Sequence, residues 1–442
     1  YKIEDEPGGT GRYHMAEKVI PTEEEETYGL YRYRWVALFS FMVVLALTQF
    51  MWLNYASITS QTQKLMGQSE FNVVLLATMF PLLYIPISIP AGIIIDRKGY
   101  RFAVMIGAIF TAGFSFLRLF AGNYPLVLIG MIGIAIGQPF VLNSITKIVS
   151  TWFPTEESAL ATGIASLALF LGMIVPLALT PVLLKAFGEN QLSSLRSIVL
   201  IYSIAATAGL VLFAILGKAR PPKPPKRSEQ ELQGEEAAIN WGSLRAIFDL
   251  YNFRLLCVLI LLGNGAFIGL LQLLEKILKP KGISSGTAGN IGAVIVLFGV
   301  IGCIVIPEIS DKMRRRKPFI ILAAASAVPT IFLIAVLKSA LPIYLVGSLL
   351  GFFLLSAFPL VLTFAEETTG HALTGTGSAI LMLLGNAGGV VLTLLMEAIK
   401  GATGGTSGSF FWAMMFLVVL FVLGVVVAFF LREQKPGQEL AA

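Results

Sequence analysis

Long apolar runs recur along this chain, and they constrain its fold more than any other feature. Segments with almost no charged residue follow one another from residue 34 to residue 431. A helix of about 20 apolar residues crosses the roughly 30 Å hydrocarbon layer of a bilayer. Charged residues make up 13% of the chain, about half their share in soluble domains. The sequence therefore predicts an integral membrane protein.

Twelve apolar segments are predicted to be transmembrane helices. They cover residues 34–58, 71–95, 102–121, 125–149, 158–184, 197–217, 253–279, 286–309, 318–338, 341–364, 373–399 and 409–431. Between the sixth and seventh lies segment 218–252, rich in Pro, Lys, Arg and Glu, which cannot pack a core or enter a bilayer. The expected fold is an all-α membrane protein of two six-helix bundles, residues 34–217 and 253–432.

The polar ends and loops predict the orientation. Residues 1–14 resemble vector-derived sequence, so that residues 15–33 would be the native N-terminal tail and 433–442 the C-terminal tail. Lys and Arg concentrate in the linker 218–252 and in the loops after the second and eighth spans. The positive-inside rule therefore places both termini in the cytoplasm, and we expect the plasma membrane as the location.

Several function classes are excluded by what the sequence lacks. Both cysteines, Cys257 and Cys303, fall inside predicted spans, and the two histidines, His14 and His371, fall outside them. No metal-ligand spacing, phosphate loop or set of nucleophile, base and orienting group can be found. We expect no enzyme activity, no cofactor and no metal. The basic pI of about 9.2 follows from the inner-loop charges, so nucleic acid is not expected as a partner.

Two inner loops carry a repeated charged motif. GIIIDRKGYR, Gly92 to Arg101, lies between the second and third spans, and PEISDKMRRRK occupies the matching position in the second half. The first resembles the G-x-x-x-D-R-x-G-x-R element of the major facilitator superfamily. That resemblance implies two bundles that rock against each other, with a charged loop that latches in one state. The predicted latch residues are Gly92, Asp96, Arg97, Gly99, Arg101 and Asp311.

Polar side chains inside the spans are the candidates for substrate binding. Such groups are costly against lipid, so each should face a cavity or a partner. On a helical wheel Thr48, Trp52, Tyr55 and Thr59 form one stripe of the first span, with Gln49 beside it. The other candidates near the middle of a span are Gln138, Asn264 and Asn386.

Two glutamates near the outer ends of their spans leave alternatives open. Glu275 and Glu397 either face the cavity or extend to the outer interface beside Lys276 and Lys400. Arg118, at the end of the third span, is expected to be an interface anchor. The first half carries no carboxylate deep in a span, so uniport is the simpler expectation.

The first five spans resemble a particular family more closely. YRYRWVALFSFMVVLALTQFMWLNYASI, DRKGYRFAV and AIGQPFVLNSITKIVSTWFPTEESALATGI are similar to the feline leukaemia virus subgroup C receptor family, the solute carrier 49 group. Members carry choline and ethanolamine. The resemblance implies that Trp52 and Gln138 bind substrate, and Phe267 could add an aromatic wall. Where the family has a tyrosine this chain has Ile268, and Glu275 replaces an asparagine.

Three functional hypotheses follow from these residues. The first is a transporter of a small organic cation or amine, such as choline or ethanolamine, that uses Trp52, Gln138 and Glu275. The second is an organic-anion transporter, possibly proton-coupled, because STWFP at 150–154 resembles the anion-carrying branches and Lys147 precedes it. The third is a receptor without transport. In each case a small molecule and the lipid bilayer are the expected partners of a monomer.

Overall fold

The computed structural model describes residues 31–223, 225, 245, 247–369, 374–402 and 410–433, with the backbone alone at 155, 156, 159, 374 and 375. Twelve helices in these ranges are long and apolar enough to cross a membrane, which confirms the predicted fold class. Residues 1–14, most of the predicted tails and linker, and His371 lie outside the described ranges.

The helices are numbered α1 to α12 in chain order. Those of the first half are α1 Tyr33–Met66, α2 Glu70–Lys98, α3 Tyr100–Leu119, α4 Tyr124–Trp152, α5 Thr155–Phe187 and α6 Leu192–Leu216. Those of the second half are α7 Tyr251–Lys281, α8 Ser285–Met313, α9 Lys317–Val336, α10 Ala340–Thr369, α11 Thr374–Ala402 and α12 Phe411–Phe429.

The two halves repeat one packing pattern. In the first half α1 packs against α5, α2 against α4 and α3 against α6. The corresponding pairs of the second half, α7 with α11, α8 with α10 and α9 with α12, make the same contacts. Across the halves, α5 packs against α8 and α2 against α11. The fold is thus a pair of related six-helix bundles that meet along these two contacts and where the 3₁₀ turn of α1, residues 56–58, contacts α7 and α8.

Helix α1 is interrupted where its C-terminal third begins. Its α-helical part ends at Leu53, and a 3₁₀ turn, Ala56–Ile58, precedes a second helical segment, Thr59–Met66. The side-chain oxygen of Asn54 accepts the backbone N–H of Tyr55 at 2.8 Å, which competes with the regular helical bond. The wheel prediction for Thr59 assumed a continuous helix and was wrong on that point.

Glycines allow the closest helix contacts in the second half. A Cβ at Gly302 of α8 would overlap the carbonyl oxygen of Phe352 in α10, and a Cβ at Gly351 would overlap that of Ile295. The backbones of α8 and α10 therefore touch directly, as in small-residue packing of membrane helices. Helix α10 also packs against α7, and the cleft described next lies between these two helices.

Candidate functional site

A cleft opens between α7 and α10 at the middle of both helices. Its cavity volume is about 20 Å³, room for about one water molecule in the conformation described here. The lining residues are Leu259, Ile260, Gly263, Asn264 and Phe267 of α7 with Leu354, Leu355, Ala357, Phe358 and Val361 of α10. Two of them, Asn264 and Phe267, are sequence-predicted site residues. The lining is apolar apart from the Asn264 amide, so the cleft offers two aromatic rings and one hydrogen-bonding group.

Trp52 of α1 is held in place by neighbours on α2. Its indole N–H donates to the carbonyl oxygen of Ala77 at 3.0 Å. The indole stacks on Phe80 with ring centroids 6.3 Å apart and an interplanar angle of 27°. The side chain is 7% exposed and belongs to the same buried apolar cluster as Phe267. One hydrogen bond and one aromatic neighbour therefore fix the orientation of this ring.

The two other predicted residues of α1 have unpartnered polar atoms. Gln49 and Tyr55 are buried, and neither the Gln49 side-chain nitrogen nor the Tyr55 hydroxyl has a hydrogen-bond partner within the described ranges. Such groups are rare in protein interiors, because an unsatisfied buried donor costs about 1–3 kcal/mol. Both groups are thus available to a ligand or to a second conformation.

Gln138 and Asn386 lie on α4 and α11. Gln138 is buried, and the Asn386 amide donates to the carbonyl oxygen of Met382 on its own helix at 2.9 Å. Neither side chain lines the cleft between α7 and α10. The structure therefore brings together only Asn264 and Phe267 of the predicted substrate residues around a common space.

Glu275 lies in the contact between the halves, near the end of the bundle opposite the Asp96 loop. We call this the outer end, following the predicted orientation. The Glu275 carboxylate is 2% exposed and accepts the backbone N–H and the hydroxyl of Ser60 at 3.2 and 2.8 Å. It also accepts the hydroxyl of Ser285 on α8 at 2.9 Å, and Ser285 contacts Gln61 of α1. Glu275 therefore joins α1, α7 and α8.

A network of charges continues this contact, and we name both together the outer seal. Lys276 of α7 lies 3.0 Å from the carboxylate of Glu70 on α2 and 3.5 Å from that of Glu397 on α11. Lys400 of α11 also pairs with Glu70. Glu397 thus lies beside Lys276, one of the two lysines expected near it. Two lysines of the second half converge on one carboxylate of the first half.

The predicted latch residues are at the inner end, the end that carries the Asp96 loop. Asp96 and Arg97 are exposed, and no described residue forms a hydrogen bond or ion pair with the Asp96 carboxylate. Gly99 has a φ of +81° and ends α2, a conformation that favours glycine. Arg101 donates to the carbonyl oxygen of Ala214 at 3.4 Å. A Cβ at Gly92 would meet open space.

The second-half loop makes ion pairs within its own half. Asp311 pairs with Arg316, and Arg316 also lies 3.0 Å from Glu367 of α10. Burial alone would lower the pKa of the Arg316 guanidinium. The hydrogen bonds and charges of Asp311 and Glu367 have the larger effect, so the pKa is raised. The two copies of the motif therefore differ: the Asp311 copy is paired and the Asp96 copy is not.

Arg118 contradicts its prediction as an interface anchor. Its side chain is 0% exposed and passes into the first bundle, where Nη2 lies 2.8 Å from the sulfur of Met51 and Nη1 3.6 Å from that of Met131. Gly130 of α4 leaves room for it, since a Cβ there would lie 2.9 Å from the Arg118 Cγ. The Arg118 side chain can point into the bundle because Gly130 of α4 has no side chain.

Sequence reasoning missed several residues of these sites. The α10 lining, with Phe358 as its aromatic member, gave no signal because Phe residues are frequent in every span. Ser60 and Ser285 were missed for a similar reason, since hydroxyl residues recur throughout the helices. Glu70 and Lys276 did offer a signal. They carry opposite charges, each lies near the end of a span, and the two spans belong to different halves.

Comparison with protein-family models matches residues 35–393 to the Major Facilitator Superfamily. The chain belongs to this superfamily. Solved structures agree on the fold: a bacterial homologue of the human lysosomal transporter Spinster, inward-facing and unoccupied, superposes with a TM-score of 0.74 at 17% identity, covering 91% of this chain and 97% of that one. The transporter FucP in the outward conformation gives a TM-score of 0.61 at 16% identity, covering 91% of this chain and 100% of that one.

Among curated proteins this superfamily member is similar to transporters of the solute carrier 49 group. The human choline/ethanolamine transporter FLVCR2 is 26% identical over 426 residues, which cover 92% of this chain and 80% of that protein. Solute carrier family 49 member A3 of Danio rerio is 26% identical over 398 residues, covering 86% of this chain and 81% of that protein. The chain is therefore a transporter-type membrane protein that resembles the feline leukaemia virus subgroup C receptor family.

Proposed function

We propose that this protein is an alternating-access transporter of a small organic cation or amine, such as choline or ethanolamine. The observation that carries the proposal is the narrow cleft between α7 and α10, which places Phe267, Phe358 and the Asn264 amide around one space at the middle of these two helices. In transporters of this architecture the substrate site lies near the bilayer midplane, between the repeated halves. The cleft belongs to the second half, and the proposal is that it widens and forms the second-half part of such a site when a solute binds.

The chemistry of the cleft suits an alkylated ammonium group. The quaternary ammonium of choline has no N–H group to donate, whereas the primary ammonium of ethanolamine has three. The negative faces of aromatic rings attract either cation by about 2 kcal/mol or more when it is desolvated. Phe267 and Phe358 line the cleft, and the proposal is that they turn their ring faces to the cation. The Asn264 amide can accept or donate one hydrogen bond to a hydroxyl or amine at the other end of the solute.

Trp52 is the proposed opposite wall of the site. Its bond to the Ala77 carbonyl oxygen leaves the indole without a free N–H, so what it can offer a solute is its ring face. Tyr55, Gln49, Gln138, Asn386 and Glu275 stay proposed substrate residues; for Glu275 the proposed role is closure of the outer seal over a bound solute, since its carboxylate is occupied by Ser60 and Ser285.

Transport would require the outer seal to open and the inner end to close. We propose that the unpaired Asp96 loop, with Gly92, Arg97, Gly99 and Arg101, engages the second half when the inner end closes, with Asp311 as its second-half counterpart. The proposed setting is a monomer in the plasma membrane with both termini in the cytoplasm. The name of human FLVCR2, a choline/ethanolamine transporter, supports the substrate class through similarity alone.

Organic anions are the alternative substrate class, and one observation favours them. Arg118 is a fully buried cation near Tyr55 that has no carboxylate partner among the described residues. A site for anions would use this charge, whereas a site for cations would use the aromatic cleft. Tyr55 belongs to both proposed sites. Variants of Arg118 and of the cleft residues Asn264 and Phe267 therefore separate the two classes.

Ligand binding to the purified protein tests the proposal. Choline and ethanolamine should raise the thermal unfolding midpoint, and lactate should not. Phe267→Leu and Asn264→Ala should each weaken the choline response about tenfold or more, because one aromatic or polar contact is lost. Phe332→Leu, an exposed aromatic residue of α9, is the matched control and should respond like the parent. A response to lactate alone would overturn the cation assignment.

A further inference from the structure

The guanidinium of Arg118 lacks a countercharge in a part of the molecule from which water is excluded. It is 0% exposed, and no described carboxylate lies within ion-pair distance. The carboxylates of the first half, Glu70, Asp96, Glu156, Glu157 and Glu189, all lie near helix ends or in loops. An unpaired buried charge costs several kcal/mol, and ionisable groups inside a membrane protein are retained for a partner or a function.

The hydrogen-bond acceptors around Arg118 are too weak to compensate it. Two of its nitrogens point at the thioether sulfurs of Met51 and Met131, and Nε lies 3.5 Å from the carbonyl oxygen of Ser115. Thioether sulfur is a poor acceptor, and an arginine has five N–H donors. Methionine side chains are flexible and can move aside, so the two sulfurs can be exchanged for a better acceptor without a change in the backbone.

A second donor without a partner lies beside this charge. The Arg118 guanidinium carbon is 5.7 Å from the centre of the Tyr55 ring, and the Tyr55 hydroxyl is buried with no hydrogen-bond partner in the described ranges. Tyr55 sits at the interruption of α1, directly before the 3₁₀ turn Ala56–Ile58. The cation therefore lies over the face of a tyrosine ring whose O–H has no described partner, beside the interruption of α1 and the end of α3.

We propose that Arg118 and Tyr55 form a binding site for a small monovalent anion in the first half. The anion would take charge-assisted hydrogen bonds from the guanidinium in place of the two sulfurs, and would accept the Tyr55 hydroxyl. Chloride is the probe of choice, and the carboxylate of a transported solute has the same chemistry.

Chloride binding to the full chain, without any transport assay, tests this site. The purified protein is placed in chloride-free methanesulfonate buffer, and the unfolding midpoint and the binding of radiolabelled chloride are followed as chloride replaces methanesulfonate at constant ionic strength. The parent should show saturable binding and a rise of a few degrees. Arg118→Met should lose both, and Tyr55→Phe should bind chloride at least tenfold more weakly, because only the hydroxyl is removed.

Controls keep the result interpretable. Arg118→Met removes a buried charge while keeping an apolar side chain of similar length, so it should fold without the anion. Arg196→Met, at an exposed outer position, should behave like the parent. Displacement of chloride by lactate would assign the site to a solute carboxylate, and absence of displacement to a free halide; both support the anion site.

Two results would overturn the proposal: no chloride response in the parent, or an equal response in Arg118→Met. Because the readout is anion binding, either result would leave the proposed transport of an organic cation untouched. Conversely, failure of choline to bind would not affect the chloride measurement.

Discussion

The carboxylate of Glu275 in the second half accepts both the backbone N–H and the hydroxyl of Ser60 in the first half, at 3.2 and 2.8 Å. Ser60 is the second residue of Thr59–Met66, the helical segment that follows the interruption of α1. The interruption therefore supplies a backbone donor, which a regular helix interior would have used itself. Hydrogen bonds to a charged acceptor are worth about 1.5–3 kcal/mol, so this contact contributes substantially to closure of the outer end.

Replacement of Glu275 by glutamine should loosen the outer seal. The amide removes the charge and one acceptor, and a loss of about 1.4 kcal/mol shifts the equilibrium between closed and open outer ends about tenfold. The opening is measured with Ser57→Cys, a buried position below the seal, in a protein that lacks Cys257 and Cys303. The rate at which a membrane-impermeant maleimide labels this cysteine reports how often the outer end opens. Glu189→Gln, an exposed outer carboxylate, is the control; equal labelling rates in the two variants would contradict the assigned role.

The charges of the outer seal should act together across the halves. Glu70→Gln removes the first-half carboxylate that Lys276 and Lys400 share, whereas Glu397→Gln leaves both lysines with Glu70. We expect Ser57→Cys labelling to increase more for Glu70→Gln than for Glu397→Gln. The reverse order would show that the contacts within the second half dominate.

Asp96→Asn should affect transport without affecting the stability of the conformation described here. Its carboxylate is exposed and forms no described hydrogen bond, so the unfolding midpoint should stay within about 1 °C, as is usual for small surface changes. Substrate flux should fall several-fold if the loop engages the second half when the inner end closes. A parallel loss of stability, or an unchanged flux, would argue against a latch.

Adding a methyl group at the direct contact between α8 and α10 should lower the stability of the protein. Gly302→Ala places a Cβ against the Phe352 carbonyl oxygen, and overpacking of this kind costs about 1–3 kcal/mol. Gly163→Ala on α5, where a Cβ meets open space, is the matched control and should be neutral or slightly stabilising. Thermal unfolding of the two purified variants measures the difference, and similar midpoints would contradict the close approach.

The helix count and the two-bundle division could be predicted from the sequence because hydropathy along the chain determines them. The interruption of α1 could not, because Asn54 carries no proline- or glycine-like signal, and the break also depends on Ser57 bonding to Pro176 of α5. The burial of Arg118 depends on the absence of a side chain at Gly130 on another helix. Of the predicted substrate residues, Asn264 and Phe267 line a cleft, but their α10 neighbours follow only from the three-dimensional packing.

Uptake of labelled choline into proteoliposomes tests the central claim most directly. We expect saturable uptake that excess ethanolamine blocks and lactate does not. The uptake rate should fall at least tenfold in Trp52→Ala and in Phe267→Leu and stay unchanged in Phe332→Leu. Uptake no greater than in protein-free liposomes, or equal uptake by Phe267→Leu and Phe332→Leu, would contradict it.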